Sequence, residues 1–473
     1  MPNDRESAVN LSAWNRVLVI AAALGAAAFG CGKKGGGSDA ILIGHYASLT
    51  GSEATFGVST DHGVILALEE RNAAGGVKGK KIELRTLDDA SKANEAGIVV
   101  QRLISEDHVV ALIGEVASGS SLSGGKIAQQ FGVPMISPSS TNKKVTEGRD
   151  MVSRVCFLDE FQGYVVAKFA KDQKFDKVAI LFDQAAPYSK GLAETFQTEL
   201  EGLGGTVATK QAYTAGDADV SAQLQSIKTS GAQAVFLPGY YTDVGNIVNQ
   251  ARKLGVTVPF LGGDGWDSSK LAEIGGAAIE GSYYSNHYSF DEARPEVQEF
   301  VTKFQKRWNE TPDGLAALGY DAARVLFAAM DKAPTLGGKD LAAAIAATKD
   351  FPGVTGKITL DQNRDAVKQA VVVQMKGGKP RYVATVVPKG WPEPGNATLP
   401  QNSGTGTGTG PGTGTGSGSD SGSGSGSAAT AGSGSAAGSG SGSAAGSGSA
   451  AGSGSGATAG SGSAAGPGSA AKK

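Results

Sequence analysis

The sequence predicts an α/β protein of two successive lobes, each a parallel sheet with helices on both faces, followed by a long tail outside the fold. Three observations carry this expectation. From residue 41 to about 287, strand-like and helix-like segments alternate without pause, the pattern of parallel sheets covered by crossover helices. The units are too many for one open sheet and their tempo breaks near 158–163, which divides the chain there. From about 401 onward the chain is Gly, Ser, Ala and Thr with almost no charge, too polar to offset the entropy of ordering, so disorder is predicted to its end.

At the N-terminus, Arg5 and Arg16 precede an apolar run, 17–29, too short to cross a membrane and ending in small residues, as export signals do. The run stops at Ala28-Phe29-Gly30-Cys31, which resembles the lipobox of bacterial lipoproteins, although Ala28 and Phe29 depart from its usual leucine and small residue. The resemblance implies a signal peptide over 1–31 with Cys31 lipidated, and 32–39 (GKKGGGSD) as a flexible linker. Such a lipid would hold the protein on a membrane surface facing the export compartment.

Next come a strand at 41–49, a helix at 61–72 with Val64, Ala67 and Leu68 at helical spacing, a strand at 81–88, and a helix carrying Val100, Leu103 and Ile104. The stretch from Val109 reads as a strand (VVALIG), a hydroxyl-rich turn at 115–125, a short helix at 126–132, and a strand running into SPSST. Strands are predicted at 177–182, 206–213, 234–237 and 259–261, each followed by a helix, and at 279–284. The rhythm then changes to helices at 295–309, 314–331 and 339–348. Two last strands, 370–375 and 382–387, flank Lys376-Gly377-Gly378-Lys379 as a hairpin.

Composition narrows the function. A net charge of -2 on 473 residues gives no sign of nucleic-acid binding, and glycine, at 71 residues, is far above its usual share, with most of that excess at the C-terminal end. With Cys31 lipidated, the only other cysteine, Cys156, has no partner for a disulfide, and its apolar context (MVSRVCFL) reads as a buried structural thiol. Before the tail there is no GxSxG, HExxH or CxxC, and 119–127 lacks phosphate-loop spacing. His45, His62, His108 and His287 form no metal-spaced pair and read as surface or packing residues. No cofactor, metal or enzymatic reaction is therefore expected.

Ligand-type groups do occur at predicted strand ends. Ser and Gly between a strand and a helix leave unpaired N–H groups and small hydroxyls facing one spot, which makes the region of Ser118 a candidate anion cradle. The next strand ends in Ser137, Ser139, Ser140 and Thr141, so adjacent strand ends can converge on one ligand. Phe56, Ser118, Ser139 and Thr141 fall in the first lobe, and Tyr188, Tyr240 and Asp264 in the second. Hydroxyls and N–H groups on one side and a carboxylate on the other suit a zwitterion held in a cleft.

The segments TGSEATFG, GGVKGKKIEL, DDASKANEA, LIGEVASGSS, PMISPSST, PYSKGLAE, PGYYTDVGNIVNQARKLG and FLGGDGWD follow in order a known pattern. It resembles that of type I periplasmic solute-binding proteins, closest to the leucine/isoleucine/valine-binding branch, over roughly 41–387. The resemblance implies two Rossmann-like lobes joined by a three-strand hinge, 40–159 plus 288–362 and 160–287 plus 363–388, with a disordered low-complexity tail at 395–473. It implies a monomer in the periplasm or cell envelope that closes on an amino acid, branched-chain or otherwise apolar, and delivers it to the permease subunits of an ABC importer. A ligand-sensing receptor for amides or related small molecules is the alternative.

Residue by residue, the resemblance puts Ser118 on the ligand carboxylate with Ala117 contributing backbone. Ser139 and Thr141 hold the ammonium by a carbonyl and the carboxylate by hydroxyl and N–H; Tyr188 and Tyr240 match second-lobe tyrosines, and Phe56 an aromatic against the ligand side chain. Asp264 replaces the family's common glutamate as ammonium partner, one methylene shorter. Trp266 either narrows the side-chain pocket or packs behind the loop. The family's first-lobe disulfide is absent, since its two positions read Ser91 and Ala117.

Overall fold

The computed structural model describes residues 40–391; the expected signal peptide (1–31), Cys31, the linker (32–39) and the tail (395–473) lie outside the described residues. The first lobe opens with β1 (Ile41–Ala47), α1 (Ala54–Ala73), β2 (Ile82–Asp88), α2 (Ala93–Ser105), β3 (Leu112–Ile113), α3 (Ser118–Phe131), β4 (Met135–Ser137) and β5 (Val152–Arg154). Its five strands form one parallel sheet in the order β2-β1-β3-β4-β5. The order reverses between β1 and β3, and in open α/β sheets a ligand crevice forms outside the carboxyl ends of the strands at such a reversal.

Two first-lobe helices start earlier than the sequence predicts, and the helix at Asp159–Asp172 stands where the sequence predicts none and shows only a break in tempo. α1 begins at Ala54, seven residues before the predicted start, so that Phe56 is a buried helical residue. Gly57 lowers helix propensity but is needed there, because a Cβ would stand 2.1 Å from the Ser48 carbonyl oxygen. α3 begins at Ser118, inside the stretch read as a turn. Its serines and glycines are poor helix formers, yet packing overrides propensity: α3 lies along α2, and Gly124 brings the backbone onto the Tyr46 ring.

The second lobe comprises α4 (Asp159–Asp172), β6 (Lys177–Asp183), α5 (Pro187–Gly202), β7 (Thr206–Tyr213), α6 (Ser221–Thr229), β8 (Ala234–Phe236), α7 (Tyr241–Lys253), β9 (Phe260–Gly262), α8 (Ser269–Gly275) and β10 (Tyr283–Asn286). The chain then returns with α9 (Pro295–Trp308), α10 (Gly314–Lys332) and α11 (Gly338–Ala346). In α9, Val297, Phe300, Val301 and Phe304 are buried at the i, i+3, i+4, i+7 spacing of one apolar face. α10 starts where Asp313 accepts from the Ala316 N–H at 2.9 Å and lies against α1.

A small antiparallel sheet follows, of β11 (Phe351–Gly353), β12 (Gly356–Leu360) and β13 (Ala366–Val367). The hairpin of β14 (Ala370–Lys376) and β15 (Lys379–Val386) turns at Gly377 and Gly378, both at positive φ, and joins the second sheet antiparallel to β10. That sheet runs β15-β14-β10-β9-β8-β6-β7. The chain thus passes between lobes three times: between β5 and α4, after β10, and between β13 and β14.

Buried charge organises these crossings. Arg154, fully buried, pairs with Asp365 at 2.6 Å and donates to the carbonyls of Ser140 (2.5 Å) and Asn142 (3.0 Å). Lys368 donates to the Val155 carbonyl (3.2 Å) and the Thr355 hydroxyl (2.5 Å), which ties the third crossing to the first. Cys156 is buried, its Sγ donating to the Ser140 carbonyl at 3.3 Å, and burial pushes its thiol up to about 12.

Candidate ligand-binding site

The lobes meet directly. Thr55 and Ser268 share a hydroxyl hydrogen bond of 2.8 Å, Thr242 donates to the Ser52 carbonyl at 2.8 Å, and Asn142 donates to the Pro187 carbonyl at 2.9 Å. Phe56 sets its ring edge-on to Tyr240 and Tyr241, with centroids 5.7 and 5.0 Å away.

Within this contact lies a small, nearly closed cavity lined by Phe56, Val116, Ser118, Ser139, Thr141, Tyr188, Tyr240, Asp264, Gly265 and Leu315. Seven of the nine ligand residues expected from the sequence are in its wall. Each comes from the carboxyl end of a parallel strand: Phe56 follows β1, Ser118 β3, Ser139 and Thr141 β4, Tyr188 β6, Tyr240 β8 and Asp264 β9. The fold therefore delivers residues remote in sequence to one spot.

On the first-lobe side, Ser118 is the first residue of α3, where free backbone N–H groups and the helix dipole favour an anion. Its hydroxyl accepts from the Asn142 N–H at 3.3 Å. Ser139 is buried with no partner for its hydroxyl, and a buried hydroxyl without one costs roughly 1–3 kcal/mol, so this oxygen favours a polar ligand atom. Thr141 turns its hydroxyl toward Asp159, whose carboxyl is raised well above the usual range by burial first, against the Thr141 hydroxyl and with the charge of Asp264 adding to it. Behind the site Glu115, its carboxyl raised first by burial, accepts from the Ser48 N–H and hydroxyl, both at 3.0 Å.

On the second-lobe side, the Asp264 carboxyl is gripped at both oxygens. Tyr188 donates its hydroxyl to Oδ1 at 3.0 Å, and His287 Nε2 lies 3.0 Å from Oδ2. Tyr188 also accepts from the Gly265 N–H at 3.1 Å and stacks on Tyr240, rings 5.2 Å apart and 5° from parallel. Burial raises both tyrosines well above their usual range, followed by Asp264 for Tyr188 and Glu53 for Tyr240, so both keep their phenolic protons as donors.

Three expectations are corrected. Trp266 is fully buried, packs its ring against the Gly262 backbone and donates Nε1–H to the Leu237 carbonyl at 3.0 Å, so it stands behind the loop and does not line the cavity. Ala117 spends its N–H on Glu115 Oε2 at 2.5 Å and its carbonyl on the Ser121 N–H at 3.0 Å, which leaves Val116 as the lining residue there. His287 is more than packing, since it is the second partner of Asp264. Sequence reasoning also missed Leu315, in the first turn of α10, and Val116; both carry only the apolar signal of core residues.

The profile of the periplasmic binding protein family matches residues 40–379. A Leu/Ile/Val-binding protein homolog 2 of Brucella abortus (strain 2308) is 35% identical over 329 residues, 69% of this chain and 87% of that protein. A leucine-, isoleucine-, valine-, threonine- and alanine-binding protein of Pseudomonas aeruginosa is 30% identical over 330 residues, 69% and 87% of the two chains. Among solved structures, a leucine binding protein of Thermotoga maritima MSB8 superposes with a TM-score of 0.71 at 38% identity, over 74% of this chain and 99% of that one. A branched-chain amino acid transporter substrate binding protein of Streptococcus pneumoniae in complex with isoleucine gives 0.70 at 33%, over 74% and 100%.

Proposed function

Because the chain belongs to the periplasmic binding protein family, we propose that it binds a branched-chain or similar apolar amino acid between its lobes for an ABC importer. The observation that carries this is the split of complementary chemistry across one cavity. Ser118, Ser139 and Thr141 offer hydroxyls and a helix N-terminus to a carboxylate, Asp264 offers an acceptor to an ammonium, and Phe56, Val116, Tyr240 and Leu315 offer apolar walls. Neither lobe holds both halves, so only the closed arrangement engages the whole ligand, and ligand shifts the population toward closure by its differential affinity. The lobes in this reading are 40–159 with 288–362 and 160–287 with 363–388; β13 pairs with β12, which keeps those two residues with the small sheet.

Calorimetric titration of Asp264→Ala tests the site. Loss of the acceptor leaves a buried ammonium unpaired and is expected to weaken leucine binding by about 2–5 kcal/mol; unchanged affinity would refute the assignment. The relatives' names support branched-chain amino acids as the ligand class, one of them adding threonine and alanine. We place the protein outside the cytoplasmic membrane, held there by a lipid on Cys31, beside a permease that takes the ligand onward. Cys31→Ser is then expected to move the protein from the membrane fraction to the soluble one, and unchanged partition would refute the anchor.

A further inference from the structure

We propose that His287 is a positioning residue for the ligand's ammonium, holding the Asp264 carboxyl in the orientation that presents it to the cavity. The inference rests on the amino-acid reading above and adds a residue to it. His287 follows β10 directly, at the second crossing between the lobes, and its side chain is wholly buried. Its ring stacks on Phe157 of the first crossing at 3.7 Å and 23°, which fixes the plane of the imidazole. From that plane Nε2 reaches Asp264 Oδ2 at 3.0 Å while Tyr188 holds Oδ1 at 3.0 Å.

A carboxylate has about four lone-pair sites, so two donors clamp its rotation and leave acceptor capacity for a third. The clamp matters because Asp264 is short: with little reach of its own, its orientation decides whether an ammonium is met. Burial lowers His287 to about 4, against the hydrogen bond to Asp264 and with Lys368 adding to the lowering, so at neutral pH the ring donates one proton and brings no charge to compete with the ligand's cation. Nδ1 has no hydrogen-bond partner, which agrees with the proton residing on Nε2. Lys368 is engaged by Val155 and Thr355 and so does not pair with Asp264.

Three proteins, wild type, His287→Phe and His287→Gln, are titrated calorimetrically with leucine and with 4-methylpentanoate, which lacks the ammonium. Phenylalanine keeps the stack and removes the donor, whereas the glutamine amide nitrogen stands near the place of Nε2. Leucine is expected to bind His287→Phe on the order of tenfold or more weakly, and His287→Gln within about threefold of wild type, as for a hydrogen bond to a charged group. 4-Methylpentanoate should bind all three alike. Equal leucine binding by His287→Phe, or equal losses for both ligands, would overturn the positioning role, because a merely structural defect does not distinguish them. Should His287→Phe fail to fold, His287→Leu makes the same comparison. Wild-type protein that binds no amino acid would instead overturn the reading on which the role rests.

Discussion

Glu53, immediately before α1, is half-buried at the edge of the interlobe contact, and its carboxyl is pushed up to about 8, first by burial and then by Asp89, Asp243 and Asp183. Since the folded value exceeds the ordinary 4.5, the folded protein keeps a proton that the unfolded chain has lost between those limits. Stability from this group therefore falls as pH rises from about 4.5 to 8 and changes no further above. Glu53→Gln is expected to flatten that part of the slope in thermal melts at pH 5.5 and 8.5; a variant with the wild-type slope would show that Glu53 does not titrate there. At this scale the sequence was legible where polar residues end predicted strands, as with Ser118, Ser139, Thr141 and Asp264. It was illegible where an apolar or aromatic residue could equally be core: Trp266 and Leu315 carry the same local signal, and only the long-range packing sends one behind the loop and the other into the cavity. His287 was missed for a related reason, since its partner lies 23 residues away and no spacing rule connects them.

Among elements, the alternation of strand and helix was readable because the central strands, such as β1, β6 and β8, are short buried runs and the helices between show a buried face, as in α2 with Ala96, Val100 and Leu103. The hairpin was readable from Gly377-Gly378, whose positive φ values are what a two-residue turn demands. The starts of α1 and α3 were not. In the missed first turns of α1, Gly57 stands so close to Ser48 that a Cβ would be 2.1 Å from its carbonyl oxygen, and in the missed turns of α3 a Cβ on Gly124 would be 2.6 Å from the Tyr46 hydroxyl oxygen. Each glycine weakens its helix locally and is there for the neighbouring strand or the residue just after it, so propensity and packing give opposite signals at those positions. The discrepancy has functional weight: it is the early start of α1 that turns Phe56 inward, and the early start of α3 that places Ser118 at a helix N-terminus.

Across the whole molecule, a continuous apolar cluster runs from Ile43 and Val64 through Phe56 and Tyr241 to Val244 and Phe260, joining the two sheets. The cavity interrupts this contact with polar groups of opposite preference on its two sides, which under the proposed function would make closure and ligand recognition one event. The first and third crossings are tied by the buried Arg154–Asp365 ion pair and the hydrogen bonds of Lys368, and the second carries the link from His287 to Asp264. Two lobes were legible from the break in tempo, but their return connections were legible only through the family resemblance, because the helices after residue 291 pack back onto α1 across a long sequence separation that no local pattern marks. The most direct test of the account is calorimetric titration of the wild-type protein with leucine, isoleucine and valine beside leucinamide and 4-methylpentanoate. The account predicts tight binding of at least one amino acid and marked loss when either the carboxylate or the ammonium is missing. Binding of the analogue without the ammonium as tightly as the parent amino acid, or of no amino acid at all, would contradict it.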